Sequence, residues 1–416
     1  MTARPRKLHA MRRLIILAGL ACVAISACTS TKTSTNASSS TTGKPATTTA
    51  APPSTAATTL PAPTTTVATT TTTPPTPAEL RYSQPGPYEV GTTSFTLKNG
   101  AIVEAWFPAT KGSGKQKATY DMRSFLPASE AGKVPDADAK LVVESAFSDA
   151  TPLADGTKFP LVLFSHGFAG FRDQSTFLTT HLASWGFVVM SPEHLSRDLA
   201  AVLQPPATPM QADTADLLEI LDNTTAPNLK TVMPLIDVTK VAAVGHSAGG
   251  GASAKIAKDP RIATYVALAA GAAATDDAGA SLTKPALFVA GSADVIAKLD
   301  GVQKAYDSYG GPKRLVVIGG VTHLGFMDVC TLSTAKGSTL DIAVKDGVAI
   351  PAVITRLFAD GCDAKYTKAL DAWPIINQVV TAHLKLVFGD PDAATGLSTK
   401  LDGAFGSIKV TYSEKS

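Results

Sequence analysis

The second half of the chain alternates between short runs of consecutive apolar residues and segments in which apolar residues recur at helical spacing. The apolar runs are predicted to be strands at residues 161–164, 187–190, 241–244, 264–269, 286–290 and 315–318. The intervening and closing segments are predicted to be helices at residues 174–184, 212–221, 248–258, 297–308 and 374–388. Strands that are apolar throughout are typical of a parallel sheet buried on both faces. The pattern therefore predicts an α/β fold, with a mostly parallel central sheet and helices on both faces.

The segment before residue 159 follows a different pattern. Residues 94–97 and 101–107 are rich in apolar side chains and flank an Asn-Gly pair. This dipeptide is typical of a tight β-hairpin turn, so the two segments are predicted to be paired strands. Residues 115–158 are irregular in sequence, and we interpret them as loops with one short helix at 138–147.

The segment before residue 80 lacks the pattern of a folded domain. Residues 1–27 combine five basic side chains with an apolar stretch that ends in small residues, which predicts a secretory signal peptide. Cys28 follows Ile-Ser-Ala, as in the lipobox of bacterial lipoproteins, so it is the candidate lipidation site and membrane anchor; an ordinary signal peptide is the alternative. Residues 28–79 are mostly Thr, Ser, Ala and Pro and are predicted to form a disordered tether. One folded domain is expected over 80–389, followed by a C-terminal tail, 390–416, whose packing the sequence does not predict.

Charge and cysteine content limit the possible partners. The formal net charge is +3, and removing the five positive charges of residues 1–27, which contain no acid, leaves about −2. A basic cluster is missing from the remaining sequence, so a nucleic-acid partner is not expected. Cys22 would leave with the signal peptide and Cys28 would carry lipid. Cys330 and Cys362 then remain as a pair, and in an exported protein they are predicted to form a disulfide.

The candidate chemistry centres on the sequence Gly-His-Ser-Ala-Gly at residues 245–249. An apolar strand precedes it and small residues that can begin a helix follow it, as in a nucleophile elbow. Such a turn holds the serine backbone in a strained conformation, and its glycines remove side chains that would collide. The motif predicts Ser247 as a catalytic nucleophile. The alternative is a glycine-rich turn with an incidental serine, because the chain contains 32 glycines.

A serine nucleophile needs a base within hydrogen-bond reach. His323 lies in a loop directly after the strand predicted at 315–318, whereas His383 lies inside the last predicted helix. A loop at the end of a strand can reach the carboxyl edge of the sheet, where open α/β folds place their sites. His323 is therefore predicted as the base, and His383 as a packed or solvated side chain.

The base in turn needs an acid that orients it. Asp294 follows a glycine turn at the end of the strand predicted at 286–290. This position at a strand end favours Asp294 as the acid of the order Ser, acid, His. Asp276 and Asp277 follow the preceding strand and are the alternatives.

Two backbone N–H groups are expected to stabilise the oxyanion that forms during acyl transfer. Ala248, directly after the nucleophile, is predicted to supply one, and Phe168, in the loop after the strand 161–164, the other; the alternative is that this loop only makes a turn. His194 and His246 are predicted to be structural. The sequence contains no zinc-binding or phosphate-binding motif, so neither a metal nor a cofactor is expected.

Several of these segments resemble the platelet-activating factor acetylhydrolases and the bacterial cutinases and polyester hydrolases. The similar segments are residues 159–168 with Arg172, residues 182–189, the Gly-His-Ser-Ala-Gly-Gly at 245–250, and the Thr-His-Leu-Gly-Phe at 322–326. The resemblance implies an α/β-hydrolase fold and cofactor-free hydrolysis of carboxylic esters through an acyl-enzyme.

The chain departs from these families in three places. Residue 248 is alanine where many polyester hydrolases carry methionine, so their aromatic-binding cleft is not assumed. Residues 327–373 form an insertion that contains both remaining cysteines and could cap the site. The Thr-rich tether is foreign to the families. We therefore expect an exported serine esterase, lipid-anchored at the outer face of the cell membrane or secreted, that acts on small or short-acyl esters or lipids. Polyester or cutin hydrolysis, and a catalytically silent hydrolase fold, are the alternatives.

Overall fold

The computed structural model describes residues 76–207, 212–222, 231–271, 282–334 and 337–416. The predicted signal peptide, Cys28 and nearly all of the predicted tether lie outside the described residues, as do the alternative acids Asp276 and Asp277. Within the described ranges, no helix has both the length and the apolar character that a bilayer crossing requires.

Eleven strands of the described residues form one sheet. Their bounds are β1 Glu89–Thr96, β2 Ile102–Ala109, β3 Lys117–Asp121, β4 Lys140–Phe147, β5 Phe159–Ser165, β6 Val188–Pro192, β7 Ile236–His246, β8 Ile262–Leu268, β9 Ala286–Gly291, β10 Lys313–Ile318 and β13 Val410–Lys415. The order across the sheet is β13-β10-β9-β8-β7-β5-β6-β2-β1-β4-β3. The strands from β10 to β6 in that order are parallel to one another, as predicted. A separate hairpin pairs β11, Ser333–Thr334, with β12, Gly337–Ser338.

Helices connect the parallel strands and cover the sheet. The α-helices of the described residues are α1 Ala128–Ala131, α2 Asp136–Ala139, α3 Thr176–Ser184, α4 Leu199–Leu203, α5 Asp213–Asp222, α6 Ala248–Ile256, α7 Leu299–Ser308, α8 Thr339–Lys345, α9 Ala352–Gly361 and α10 Ala369–Val387. The helices predicted from apolar spacing correspond to α3, α5, α6, α7 and α10. Their ends differ by a few residues from the predicted bounds, as is usual because helix termini fray.

The two faces of the sheet carry separate hydrophobic cores. Along β5, successive side chains point to opposite faces. Leu161 and Leu163 pack in the core that contains buried side chains of α5, α6 and α7. Val162 and Phe164 pack in the other core, which contains buried side chains of α3 and α10. Both faces of the central strands are therefore covered by helices, and the predicted α/β architecture is confirmed.

The prediction for the segment before β5 was wrong in part. Residues 138–147 do not form a helix: α2 ends at Ala139, and β4 continues as a strand antiparallel to β3. The stretch contains the β-branched pair Val142 and Val143, which favours a strand, and β3 supplies the backbone partners. The β-branched pair and the pairing with β3 both make this stretch a strand, and the region interpreted as loops carries one end of the sheet.

The C-terminal tail is part of the fold. Residues 410–415 form β13, which pairs antiparallel with β10 from Lys313 opposite Lys415 to Ile318 opposite Val410. Val410 is fully buried. The tail therefore forms the edge strand of the sheet next to β10, the strand that precedes the loop containing His323.

Candidate active site

Ser247 occupies the sharp turn between β7 and α6. Its backbone angles are φ 55° and ψ −120°, a left-handed conformation that a non-glycine residue rarely adopts. A Cβ atom at position 245 would overlap the backbone of Gly249, and one at position 249 would overlap the backbone of Ser165. Glycine is therefore required on both sides of the serine. The predicted strand, turn and helix around Ser247 are present.

The side chains of Ser247, His323 and Asp294 form a continuous hydrogen-bond chain. His323 Nε2 lies 2.9 Å from Ser247 Oγ, and His323 Nδ1 lies 2.8 Å from Asp294 Oδ2. The three residues come from three different loops, each at the carboxyl end of a parallel strand. The structure therefore brings together the serine, histidine and aspartate singled out from the sequence.

Asp294 is held so that it faces the imidazole. Its Oδ1 accepts hydrogen bonds from the backbone N–H groups of Ile296 and Ala297, both at 2.8 Å, which leaves Oδ2 for His323. A carboxylate at Nδ1 keeps a proton on that nitrogen, so Nε2 is free to accept the proton of Ser247 Oγ–H. His323 and Asp294 are both buried.

The loop after β5, residues 165–172, carries the predicted oxyanion donor Phe168. It is here called the oxyanion loop, and it lies beside Ser247. A Cβ atom at Gly167 would come within 3.3 Å of Ser247 Cβ, so the backbone of this loop passes close to the serine. Among the backbone hydrogen bonds of the described residues, neither Phe168 N–H nor Ala248 N–H has a partner. These N–H groups are the two that the sequence predicted as oxyanion donors, and both are free to bind an external oxygen.

Arg197 is hydrogen-bonded to the oxyanion loop through both its backbone and its side chain. Its backbone carbonyl accepts a 2.9 Å hydrogen bond from Ala169 N–H, and its guanidinium donates to Ser165 Oγ at 2.9 Å and to the carbonyl of His166. Asp213 pairs with the same guanidinium at 2.9 Å. Sequence reasoning missed Arg197, because an isolated arginine in a loop carries no local signal of what it contacts.

The other histidines named in the sequence analysis are buried and bonded to protein groups. His194 contacts Ser165 Oγ and Asp216 Oδ2, each at 2.9 Å. His383 lies on α10 and contacts Thr264 Oγ1 at 2.8 Å, away from the serine. Burial lowers the pKa of His383 to about 3 and the pKa of His194 well below its ordinary value, so both rings are neutral near pH 7.

A buried ion pair supports the far end of the oxyanion loop. Arg172 NH1 lies 2.9 Å from Glu193 Oε2, and the Arg172 backbone N–H donates to the same oxygen at 3.2 Å. Glu104 lies nearby and accepts a short hydrogen bond from Thr92 Oγ1. Burial raises the pKa of Glu193 to about 8 and that of Glu104 to about 7, although the charge of Arg172 opposes both shifts. Burial therefore favours the protonated form of both carboxyls, whereas the charge of Arg172 favours their ionised form.

Residues 319–328, here called the base loop, lie beside a disulfide within the insertion. Cys330 and Cys362 are bonded, as predicted, with their Cα atoms 5.3 Å apart. Thr322 Oγ1, directly before His323, donates to the carbonyl of Gly361 at 2.6 Å. The end of α9 is thus fixed against the loop that contains His323.

Asp328 joins the base loop to α3. Its carboxylate accepts hydrogen bonds from the backbone N–H groups of Thr176 and Phe177, at 2.6 and 3.2 Å, in the first turn of that helix. Burial nevertheless raises the pKa of Asp328 to about 7. The described residues contain no group of three or more His, Cys, Asp or Glu side chains arranged to hold a metal ion.

Comparisons with known proteins agree with this geometry. The family model described as PET hydrolase-like matches residues 130–328, a range that includes Ser247, Asp294 and His323. Platelet-activating factor acetylhydrolase of Canis lupus familiaris is 26% identical over 232 residues, which cover 45% of this chain and 52% of the relative. The enzyme of the same name from Cavia porcellus is 43% identical over 51 residues, 12% of each chain. The chain thus spans about half the length of the dog enzyme and much less of the guinea pig enzyme. The chain therefore has an α/β-hydrolase fold and is similar to the PET hydrolase-like family and to the platelet-activating factor acetylhydrolases.

Proposed function

We propose that this protein is a serine esterase that hydrolyses small or short-acyl carboxylic esters through an acyl-enzyme. The observation that carries the proposal is the hydrogen-bond chain from Ser247 Oγ through His323 to Asp294, with distances of 2.9 and 2.8 Å. These distances are within the range in which a base can accept the proton of a nucleophile.

In the first half of the reaction, Ser247 Oγ attacks the ester carbonyl carbon and His323 Nε2 accepts the hydroxyl proton. The carbonyl oxygen becomes an oxyanion, which the N–H groups of Phe168 and Ala248 stabilise by hydrogen bonds. When the tetrahedral intermediate collapses, the bond to the alcohol oxygen breaks and His323 donates its proton to that oxygen. The alcohol leaves, and the acyl group remains on Ser247.

In the second half, water replaces the alcohol. His323 Nε2 accepts a proton from water as the water oxygen attacks the acyl carbon, and the same donors stabilise the second oxyanion. The bond to Ser247 Oγ then breaks, His323 returns the proton to Oγ, and the carboxylic acid is released. Asp294 stays ionised throughout and stabilises the positive imidazolium in both steps.

Apolar side chains around the reacting groups support an apolar substrate. Phe168 carries one of the two free N–H groups, and its side chain is 63% exposed. Val295 and Ile296 directly follow Asp294 and are also exposed. Exposed apolar side chains that lie together can form a ligand-binding surface. Their position on the loops of the oxyanion donor and the acid fits contact with the acyl or alcohol portion of an ester.

The proposed cellular location follows from the N-terminal sequence. A signal peptide at 1–27, lipidation of Cys28 and a tether over 28–79 would hold the enzyme at the outer face of the cell membrane or release it from the cell. The Cys330–Cys362 disulfide supports an oxidising compartment. A small ester or a lipid is the proposed substrate, and no nucleic-acid partner is proposed.

Polyester hydrolysis is the second candidate function, because the PET hydrolase-like model matches the part of the chain that holds all three reacting side chains. Two assays separate the candidates. An esterase for small substrates hydrolyses p-nitrophenyl acetate and butyrate faster than longer p-nitrophenyl esters and releases no soluble product from a polyester film. A polyester hydrolase releases product from the film.

The variant Ser247→Ala tests the esterase proposal itself. We expect it to abolish hydrolysis of p-nitrophenyl butyrate while leaving the circular dichroism spectrum unchanged. Unchanged turnover in Ser247→Ala would contradict the proposal, and a wild-type protein with no activity on any ester would favour a silent hydrolase fold.

A further inference from the structure

Gln174 is a fully buried side chain that touches both loops of the candidate site. Its Oε1 accepts a hydrogen bond from Gly167 N–H at 3.1 Å, in the oxyanion loop. Its Nε2 lies 3.1 Å from His246 Nδ1. Its backbone carbonyl accepts a hydrogen bond from Asp328 N–H at 2.7 Å, at the end of the base loop. One residue therefore contacts the oxyanion loop, the residue before the nucleophile and the base loop.

The direction of these hydrogen bonds determines the tautomer of His246. Because Gln174 Oε1 accepts from Gly167, the amide nitrogen Nε2 is the atom that faces His246 Nδ1, and it can only donate. His246 Nδ1 therefore accepts, and its proton lies on Nε2. That nitrogen is 3.2 Å from the backbone carbonyl oxygen of His323, to which it donates. These hydrogen bonds form a chain, here called the relay, from Gly167 through Gln174 and His246 to the backbone carbonyl of His323.

The surroundings of His246 keep this arrangement in one state. Burial holds the pKa of His246 well below its ordinary value, so the ring stays neutral. Its ring centre lies 4.7 Å from that of His323. A protonated His246 would bring a second donor towards Gln174 Nε2, which cannot accept. The neutral ring protonated on Nε2 is the state that satisfies every partner.

Two glycines make room for the relay. A Cβ atom at Gly170 would overlap Gln174 Oε1, and a Cβ atom at Gly167 would lie 3.1 Å from His246 Nδ1. A side chain at position 170 would displace Gln174, and one at position 167 would crowd His246, so glycine at both positions lets the oxyanion loop pass close to these residues. The close approach of this loop to Ser247 therefore depends on the same contacts as the relay.

A buried glutamine that merely satisfies loop backbone groups occurs elsewhere in this protein. Gln378 on α10 is also fully buried, and its Nε2 donates to the carbonyls of Glu79 and Gly396 at 2.9 and 3.2 Å. Neither partner belongs to a loop that carries a reacting group. Gln174 differs because one end of its relay is next to Phe168 N–H and the other end is the carbonyl of His323 itself.

We propose that Gln174 is a positioning residue that, through His246, fixes the oxyanion loop and the base loop on opposite sides of Ser247. The inference rests on the proposed esterase function. The distance from the oxyanion donors to His323 Nε2 must match the tetrahedral intermediate, because both act on the same carbon centre at once. Loss of the relay lets the two loops shift independently, which weakens stabilisation of the transition state more than binding of the ester.

The first test compares Gln174→Leu with the matched control Gln378→Leu. Both substitutions remove a fully buried amide that bridges two backbone segments, so both are expected to lower the melting temperature. Gln174→Leu should lower kcat for p-nitrophenyl butyrate about ten- to a hundred-fold with little change in KM, since a shift of about 1 Å near the reacting atoms costs on the order of 10²-fold. Gln378→Leu should leave kcat within about two-fold of wild type.

The second variant, Gln174→Glu, keeps the acceptor for Gly167 N–H but removes the donor to His246. A carboxylate beside Nδ1 favours a proton on that nitrogen, so neutral His246 would turn a lone pair towards the carbonyl of His323. Only the imidazolium form restores the Nε2 donor. The kcat of Gln174→Glu should therefore fall as the pH rises above neutrality, a descending limb that wild type and Gln378→Leu lack. If Gln174→Leu does not fold, the pH profile of Gln174→Glu still tests the positioning role.

The wild-type and Ser247→Ala assays distinguish a failure of the positioning role of Gln174 from a failure of the esterase proposal. If wild-type activity is lost in Ser247→Ala, but Gln174→Leu and Gln174→Glu retain wild-type kcat and pH profile, the positioning role is overturned and the esterase proposal stands. If Gln378→Leu lowers kcat as much as Gln174→Leu, the effect is one of general stability, and the positioning role is again overturned. Activity that does not depend on Ser247 overturns the esterase proposal instead.

Discussion

His323 Nδ1 donates a hydrogen bond to Asp294 Oδ2 at 2.8 Å, although the two residues are 29 positions apart in the sequence. Each follows a different strand, β10 for the histidine and β9 for the aspartate, and these strands are neighbours in the sheet. The backbone bonds from Ile296 and Ala297 leave the carboxylate one free oxygen, which faces the ring. The sheet register therefore determines which acid can orient the candidate base.

Replacing Asp294 with asparagine should reduce kcat for p-nitrophenyl butyrate by about 10⁴-fold. The amide keeps the shape of the side chain but favours the wrong tautomer of His323 and cannot stabilise the imidazolium. Steady-state kinetics of the purified variant measures the loss. Asp276→Asn and Asp277→Asn are the matched controls and should retain activity; an Asp294→Asn variant within tenfold of wild type would mean that another acid serves His323.

Phe168→Ala should weaken activity on apolar esters without affecting stability. The Phe168 side chain is 63% exposed, so truncation leaves no cavity in the core, and the free energy of unfolding should change by less than about 0.5 kcal/mol. Loss of apolar contact with the substrate should lower kcat/KM several-fold to about tenfold for p-nitrophenyl butyrate, since about 1.4 kcal/mol corresponds to tenfold. Val238→Ala, at another exposed apolar residue, is the control and should leave kcat/KM unchanged. An equal loss in both variants would remove Phe168 from the substrate surface.

Removing the disulfide should lower stability by about 3 kcal/mol. Cys330 and Cys362 are separated by 32 positions, and a loop of that length restricts the unfolded chain by an entropy corresponding to about 3–4 kcal/mol. Denaturant unfolding of the double variant Cys330→Ala/Cys362→Ala, compared with the oxidised wild type, measures the difference. Addition of a reductant should destabilise only the wild type; a reductant effect of the same size in the double variant would show that it acts elsewhere.

The buried carboxyl of Glu104 should make stability depend on pH. Burial raises its pKa from 4.5 to about 7, with Thr92 and Arg172 opposing the shift. The folded protein therefore keeps a proton that the unfolded chain releases near pH 4.5, so this group stabilises the fold most at low pH. The contribution, up to about 3 kcal/mol, is lost as the pH rises through 7.

The variant Glu104→Gln removes this titration while keeping the shape of the side chain. The free energy of unfolding of wild type minus that of the variant should decrease between about pH 4.5 and 8 and remain constant at higher pH. Urea unfolding at a series of pH values measures the difference. A difference that does not change with pH would show that Glu104 has the same protonation state in the folded and unfolded protein.

The central part of the fold and the grouping of Ser247, His323 and Asp294 could be predicted from the sequence because their signals are local. An apolar run followed by a glycine turn marks the end of a parallel strand, and Ser247, Asp294 and His323 all follow such runs. The carboxyl ends of parallel strands meet at one edge of the sheet, which explains why residues far apart in the sequence lie together.

The other elements and residues could not be predicted because their structure depends on contacts with residues elsewhere in the chain. β4 was predicted as a helix because the strand that pairs with it, β3, has a weak signal of its own. β13 could not be predicted for the same reason: its backbone partners lie in β10. Gln174 and Arg197 have no motif, and their roles depend on which atoms the folded chain places beside them.

Reaction with a fluorophosphonate probe, followed by mass spectrometric mapping of the adduct, tests the esterase mechanism most directly. Such probes phosphonylate a serine only where a neighbouring base activates it and an oxyanion site accepts the phosphoryl oxygen. We expect a single adduct on Ser247, formed rapidly in wild type, about 10²-fold or more slowly in His323→Ala, and not at all in Ser247→Ala. A wild-type protein that remains unlabelled, or an adduct on another serine, would contradict the assignment of Ser247 as the activated nucleophile.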